Sequence, residues 1–496
     1  MVDNSIANHL HRINQHLDNS YLLANPFFRL TKPTPENLSK YNGFKKGYLK
    51  LRTLCNFTIL FPFVIIQGVW NIVLSCVTPW EWYPTQQSLA SDVKFLGVSQ
   101  ITTANQRFEN DPLYGQIPEL LIESKNLGMF YLNGTRKTRR IVRASLIIQN
   151  KREVLVNSKT LSPLATMMLI AKNLEAALSF VFILKRRNLY SERILYIVSK
   201  GLLYQFRRAT FANLIFLERL SQALEKTSVE TIFFTMEGHA HEAALINLIK
   251  IRFPHIRIKS IQHAPIVPSQ VGYFENLLLL RETDAILCTG VTMQEITTKF
   301  LQDSDAACRD VRVLGSTKSY ISVGITHDTL RTKKQSILFL PEGTQASTIE
   351  FLDLLNFLAK KYPEMYFVFR MHPATQKSVK LLRRLSKQLP TNAAFSRRSL
   401  ALDLADSLCC IYRSSASAIE GLAFGVTPIH FQSNNEFDLD PILNDLLEHP
   451  HARDYSQLET VLEGLTESFE PIQEGSKRMQ KYFKDYYSPL RINALE

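Results

Sequence analysis

Short hydrophobic runs recur along this chain, and each stops at a polar or Gly/Pro-containing turn that leads into an amphipathic stretch. Thr231–Thr235 runs into Met236-Glu237-Gly238, residues 365–371 into His372-Pro373, and residues 408–412 into Ser414-Ser415. Runs this short and this continuously apolar fit strands buried on both faces, the signature of a parallel sheet covered by helices. Strand–helix–strand order then predicts an α/β protein.

Two such series are present. In the first, strands are expected at 92–98, 129–132, 231–235, 256–261, 285–289 and 311–314; in the second, at 337–340, 365–371, 408–412 and 427–431. A polar stretch over 316–335, without apolar periodicity, suits a connection between them. The expected organisation is a basic N-terminal region with an apolar segment (1–90), a first Rossmann-like domain (91–325) and a second (326–496). The first domain carries a helical insertion near 161–220, either packed on the core or facing a membrane or acceptor with its basic residues.

The 496 residues carry a net charge of +13, which calls for an anionic partner: nucleic acid, an anionic membrane surface or a phosphate-bearing substrate. No recognised nucleic-acid module accompanies the charge, so nucleic acid is not expected. The six cysteines form no CxxC pair and no metal-ligand spacing, and five lie in apolar runs, as reduced core residues do. His239-Ala-His241-Glu242 does not suggest a metal, because i,i+2 residues on a helix do not face one another. There is no Walker loop and no G-x-G-x-x-G, and neither a metal nor a cofactor is expected.

Residues 53–80 contain no charged side chain, and 54–77 are long enough to span a bilayer. Lys45, Lys46, Lys50 and Arg52 precede the segment, and Trp80, Trp82 and Tyr83 follow it, as headgroup contacts and interfacial aromatics would. Pro62, Gly68 and the amides Asn56, Gln67 and Asn71 argue for a bent, re-entrant or interfacial anchor over a straight span. Burial inside the protein is the alternative.

In an open parallel sheet, ligands gather at the carboxyl ends of strands. Four candidates fall there: Glu237-Gly238, His263, His372-Pro373 and Ser414-Ser415. Serine hydroxyls and the first free N–H groups of a helix bind phosphate oxygens, although serine is also the ordinary N-cap. Glu420, in the helix after Ser415, is placed to meet a ribose hydroxyl or to lie on a solvated face. Proline ends strand pairing after His372, whose imidazole can stabilise charge developing on a phosphate. Arg370 either adds a positive charge there or pairs with a carboxylate.

Arg370-Met371-His372-Pro373 followed by Tyr412-Arg413-Ser414-Ser415 resembles the donor site of one group of GT-B enzymes. That group holds bacterial sialyltransferases and polysialyltransferases, capsule Kdo transferases and teichoic-acid glycerophosphotransferases. The resemblance implies an α/β GT-B fold, two Rossmann-like domains facing a cleft, with His372, Pro373, Ser414 and Ser415 at the phosphate of a CMP- or CDP-activated donor. Met236-Glu237-Gly238 resembles the group's acidic-acidic-glycine motif, with Met236 in place of the first acid, so only Glu237 can serve as base. Gln262-His263-Ala264-Pro265 is similar to a Trp-His-Gly-Thr-Pro loop, and Asp111-Pro112-Leu113-Tyr114-Gly115 to the start of bacterial surface-carbohydrate biosynthesis proteins. Tyr412 stands eight residues before Glu420, so the Glu–seven residues–Glu pattern of many retaining enzymes is absent.

The resemblance implies an inverting, metal-independent transferase at the cytoplasmic face of the bacterial inner membrane. It would move a sialic-acid-like or Kdo-like sugar from a CMP-sugar donor to a surface polysaccharide or lipid-linked glycan, with Glu237, or else His263, as base. Transfer from CDP-glycerol and a non-catalytic membrane-associated scaffold are the alternatives.

Overall fold

The computed structural model describes residues 93–100, 127–132, 153–156, 163–186, 192–206, 208–267, 283–303, 310–322, 336–373, 389–432, 438–443, 445–467 and 473–495, with isolated positions elsewhere. The apolar segment at 54–77 and its basic and aromatic flanks lie outside these residues, apart from single positions. So does the Asp111-Pro112-Leu113 motif, of which Tyr114 and Ile117 are described, both buried. Among the described residues no helix is long and apolar enough to cross a membrane.

Two parallel sheets organise the chain. The first holds seven strands: β1 (Phe95–Gln100), β2 (Leu127–Leu132), β3 (Glu153–Val156), β4 (Thr231–Thr235), β5 (Arg257–Ile261), β6 (Ala285–Cys288) and β7 (Val311–Val313), in the order β3-β2-β1-β4-β5-β6-β7. The second holds six: β8 (Ser336–Leu340), β9 (Tyr366–Phe369), β10 (Ala393–Phe395), β11 (Ser407–Tyr412), β12 (Thr427–Phe431) and β13 (His451–Ala452), in the order β10-β9-β8-β11-β12-β13. Both run outward from their first strand, return to its other side and continue, which is the doubly wound Rossmann order. The order reverses between β1 and β4 in one sheet and between β8 and β11 in the other. Ligands bind at the carboxyl ends of strands flanking such reversals.

The continuous apolar runs follow from burial on both faces. Ile337 and Phe339 of β8 join a cluster with Cys409, Ile411 and Phe367, while Leu338 and Leu340 face the other way with Cys410 and Tyr412. In the first sheet Ile232 and Phe234 share this latter cluster, and Phe233 turns to a third one with Ile261 and Leu287. A single apolar core thus reaches one face of each sheet.

The predicted insertion consists of three helices, α1 (Pro163–Arg186), α2 (Glu192–Gln205) and α3 (Arg208–Leu224). One face of α1 buries Leu169, Asn173, Ala176, Ala177 and Phe180, and Asn173 and Gln205 hydrogen-bond across to α2. Its other face leaves Leu164, Met167, Met168 and Leu178 exposed. The first sheet is completed by α4 (Ala240–Arg252) and α5 (Val291–Asp303), the second by α6 (Gln345–Lys361), α7 (Leu400–Ala405), α8 (Ser417–Ala423) and α9 (Tyr455–Glu467).

The last helix, α10 (Gln473–Tyr486), packs on both α8 and α5, so the chain's end returns to the first sheet. Ser488 N–H donates to Thr289 O at 2.9 Å, Ser316 N–H to Ser488 O at 2.9 Å and Arg491 N–H to Leu314 O at 2.7 Å. Gly290 permits this approach: a Cβ there would overlap the carbonyl oxygens of Asp485 and Tyr486. The polar stretch after β7 is ordered over a 3₁₀ turn at Thr317–Ser322, where sequence alone suggests only a linker.

Candidate functional site

Glu237 leaves the carboxyl end of β4, beside the reversal in the first sheet. Its carboxylate lies between two imidazoles, with Oε2 at 3.0 Å from His239 Nε2 and Oε1 at 2.9 Å from His263 Nε2. The Glu237 side chain is 26% exposed. Burial works to raise its pKa, but the hydrogen bonds and positive charge of His239 and His263 outweigh it and hold the carboxyl well below its usual range. His263 arrives from the next strand, β5, through Gln262. That fully buried amide accepts from the Thr289 hydroxyl at 3.1 Å and donates to Ala264 O, which fixes the loop presenting the imidazole.

The turn after β4 is built around a second carboxylate. Glu242, buried in the first turn of α4, accepts the backbone N–H groups of Glu237 at 3.0 Å, Gly238 at 2.9 Å and His239 at 2.8 Å. These donors would otherwise form an anion site at the start of the helix; Glu242 fills it from within. Gly238 sits at φ +87°, a conformation few other residues tolerate. Burial pushes the Glu242 carboxyl up to about 7, against the N–H bonds that favour its charged form.

Sequence reasoning identifies Glu237 and His263 but misses His239 and Glu242. The i,i+2 rule fails for His239 because it is the extended N-cap residue of α4, outside the helix proper. Its ring stacks on His241, with centroids 5.4 Å apart and planes 17° from parallel. Burial and the neighbouring His239 push His241 down to about 3, so it stays neutral.

At the reversal of the second sheet the predicted donor residues divide. Ser414, after β11, donates to Oε1 of Glu342, after β8, at 2.7 Å. Glu342 is 8% exposed, and its backbone N–H donates to the Ser347 hydroxyl at 3.2 Å. The Ser414 hydroxyl therefore bridges the two central strands within the protein. Ser415 is half-buried just ahead of α8, whose N-cap is Ala416 rather than a serine and carries no side-chain cap. His372 is half-buried after β9, its carbonyl accepting from the Thr375 N–H and hydroxyl, with Pro373 exposed beside it.

Two further predicted donor residues have ion-pair partners within the protein. Arg370 donates to Asp403 Oδ2 at 2.6 Å and to Arg398 O at 2.9 Å, the carboxylate pairing that the sequence offers as one alternative. Glu420 accepts from Lys318 Nζ at 2.7 Å and ties α8 to the 3₁₀ turn after β7. Met236, at the position where the resembling motif has its first acid, is buried in the apolar core.

No known protein-family model matches this sequence, and no curated protein matches it. Among solved structures, the chain is similar to a UDP-GlcNAc 2-epimerase from Neisseria meningitidis bound to UDP-GlcNAc, at 13% identity and a TM-score of 0.45, over 81% of this chain and 98% of that one. It is also similar to an α,α-trehalose-6-phosphate synthase from Burkholderia multivorans, at 12% identity and a TM-score of 0.46, over 79% and 95%. A third is the glycotransferase of kitacinnamycin, at 11% identity and a TM-score of 0.43, over 79% and 94%.

Proposed function

We propose that this protein is a GT-B glycosyltransferase that takes a sugar from a nucleotide-activated donor and passes it to a glycan or lipid-linked glycan acceptor. The observation that carries this reading is the Glu237 carboxylate, set between His239 and His263 at the reversal point of one doubly wound sheet. The second sheet supplies the complementary half, with His372, Ser415 and the start of α8 at its own strand ends.

A carboxylate held well below its usual range is a weak proton acceptor. We therefore assign the base to His263, with Glu237 orienting it through Nε2. Among the described residues the buried Nδ1 of His263 has no hydrogen-bond partner, and an acceptor hydroxyl would give it one. In the reaction the acceptor oxygen bonds to the anomeric carbon and its proton passes to the imidazole. The bond from that carbon to the donor phosphate breaks, and the departing nucleotide carries the electron pair. His372, the Ser415 hydroxyl and the first N–H groups of α8 meet the phosphate charge. The chemistry is inverting and needs no metal.

The donor is a CMP-linked sialic-acid-like or Kdo-like sugar, on the resemblance of His372-Pro373 and Ser414-Ser415 to that group. The acceptor is a surface polysaccharide or lipid-linked glycan at the cytoplasmic face of the bacterial inner membrane. The net charge of +13 and the exposed Leu164, Met167, Met168 and Leu178 of α1 favour a membrane surface.

Turnover of CMP-sugars, CDP-glycerol and UDP-sugars measured side by side tests the donor assignment. CMP-sugar turnover that collapses in His372→Ala supports it. Turnover of CDP-glycerol alone reassigns the reaction to phosphotransfer, and unchanged turnover in His372→Ala removes the histidine from the site.

A further inference from the structure

A second cluster of ionisable side chains runs from β11 to the far edge of the second sheet. Parallel register sets Tyr412 of β11 beside His430 of β12, and His430 beside His451 of β13, so the three share one row across neighbouring strands. The connection from β12 to β13 brings Asp440 and His449 back over that row. Among the described residues, His430, Asp440 and His451 are the one group whose potential ligand atoms all lie within 4.8 Å of one another.

The spacings are those of ligands around an ion. His430 Nδ1 is 3.2 Å from His451 Nδ1 and 3.6 Å from Asp440 Oδ2, and one ligand atom from each of the three residues lies within 4.8 Å of the other two. Metal–nitrogen and metal–oxygen bonds of zinc-like length place tetrahedral ligands about 3.3 Å apart. The histidine nitrogens face one another beside a carboxylate, an arrangement that one shared proton satisfies only in part. His430 is 3% exposed, and among the described residues its other ring nitrogen has no hydrogen-bond partner. His451, with a side chain 37% exposed, opens the cluster to solvent and gives an ion its way in.

Outer contacts hold the carboxylate in place. His449 Nε2 lies 2.8 Å from Asp440 Oδ2 while its Nδ1 donates to Leu447 O at 2.9 Å, and the Tyr412 hydroxyl donates to Asp440 Oδ1 at 2.8 Å. Metal sites characteristically fix their ligands through such second partners.

We propose that His430, Asp440 and His451 bind a divalent transition-metal ion of the zinc class, supported from behind by His449 and Tyr412. Two imidazoles and one carboxylate suit zinc and its neighbours in preference to magnesium or calcium, which seek oxygen ligands. Three protein ligands leave a coordination position on the His451 side. The ion would pin the β12–β13 connection to the sheet edge.

The test uses the untagged full-length protein, stripped with chelator and dialysed against zinc or cobalt. About one zinc per chain by elemental analysis, with cobalt giving the intense visible absorption of a four-coordinate site, is the expected result. His451→Ala should lose the ion and the cobalt spectrum while keeping the wild-type far-ultraviolet circular dichroism; His239→Ala should retain both. Zinc should also raise the melting temperature of the wild type and leave that of His451→Ala unmoved. Wild-type protein binding well below one zinc per chain overturns the proposal, as does zinc equally well retained by His451→Ala.

Discussion

At the reversal of the first sheet, Glu237 lies a quarter exposed between two imidazoles; at that of the second, Glu342 is nearly buried and takes the hydroxyl of Ser414. Both carboxylates follow a central strand at its carboxyl end, and both sheets share one strand order. Their surroundings set them to different work. Glu237 has partners that can exchange protons, and solvent reaches it. Glu342 has a partner that only donates, and it binds two strands together. Topology locates a site, and the neighbouring side chains decide whether that position does chemistry or holds the fold.

The sharpest way to break the comparison is to remove the charge at each position. Glu237→Gln keeps the shape but removes the charge that holds the two histidines, and general-base catalysis by the His263 it orients is worth about 10²–10⁴-fold. The sugar-transfer rate should fall by that factor with donor KM nearly unchanged. A rate within about three-fold of wild type would mean that Glu237 is as structural as Glu342.

The next effect separates Glu237 from the carboxylate beneath it. Glu242 is pushed up to about 7 by burial, whereas Glu237 is held low by its histidines. A carboxyl raised in the folded state contributes its stability fully below its unfolded pKa, about 4.3, and loses it as pH rises through about 7. Glu237 has the opposite sign: its contribution is present above the ordinary carboxylate range and lost as pH falls through its lowered value. Urea denaturation between pH 5 and 8 should therefore show the wild type losing on the order of 3 kcal/mol relative to Glu242→Gln. Parallel profiles for the two proteins would place the Glu242 proton elsewhere.

How much of this the sequence discloses depends on the range over which each feature is determined. The central strands are legible because burial on both faces writes an unbroken apolar run, as in Ser336–Leu340 with every residue buried. The edge strands β3, β10 and β13 are not, since Glu153–Val156, Ala393–Phe395 and His451–Ala452 are too short for any periodicity. Glu237 and His263 are legible because strand ends are where ligands meet a sheet. The ion pairs of Arg370 and Glu420 are not legible, because their partners, Asp403 and Lys318, stand 33 and 102 residues away. Charge near a strand end is visible in sequence; the counter-charge that claims it is not. His430, Asp440 and His451 meet through strand register and a returning connection, which no spacing rule for metal ligands describes.

The smallest effects fall on two adjacent serines, where the comparison is finest. Ser414→Ala removes the donor from a buried carboxylate, and an unsatisfied group of that kind costs about 1–3 kcal/mol of stability. The melting temperature should drop, and the donor KM should move only as far as the loosened β8–β11 junction allows. Ser415 has no such internal partner in its role at α8. Losing a hydrogen bond to a charged phosphate should raise donor KM roughly ten-fold or more while the melting temperature stays put. Differential scanning calorimetry and initial-rate kinetics on the same pair decide the matter. If Ser414→Ala is the variant that weakens the donor and Ser415→Ala the one that melts early, Glu342 belongs to the nucleotide site and the contrast between the two reversals dissolves.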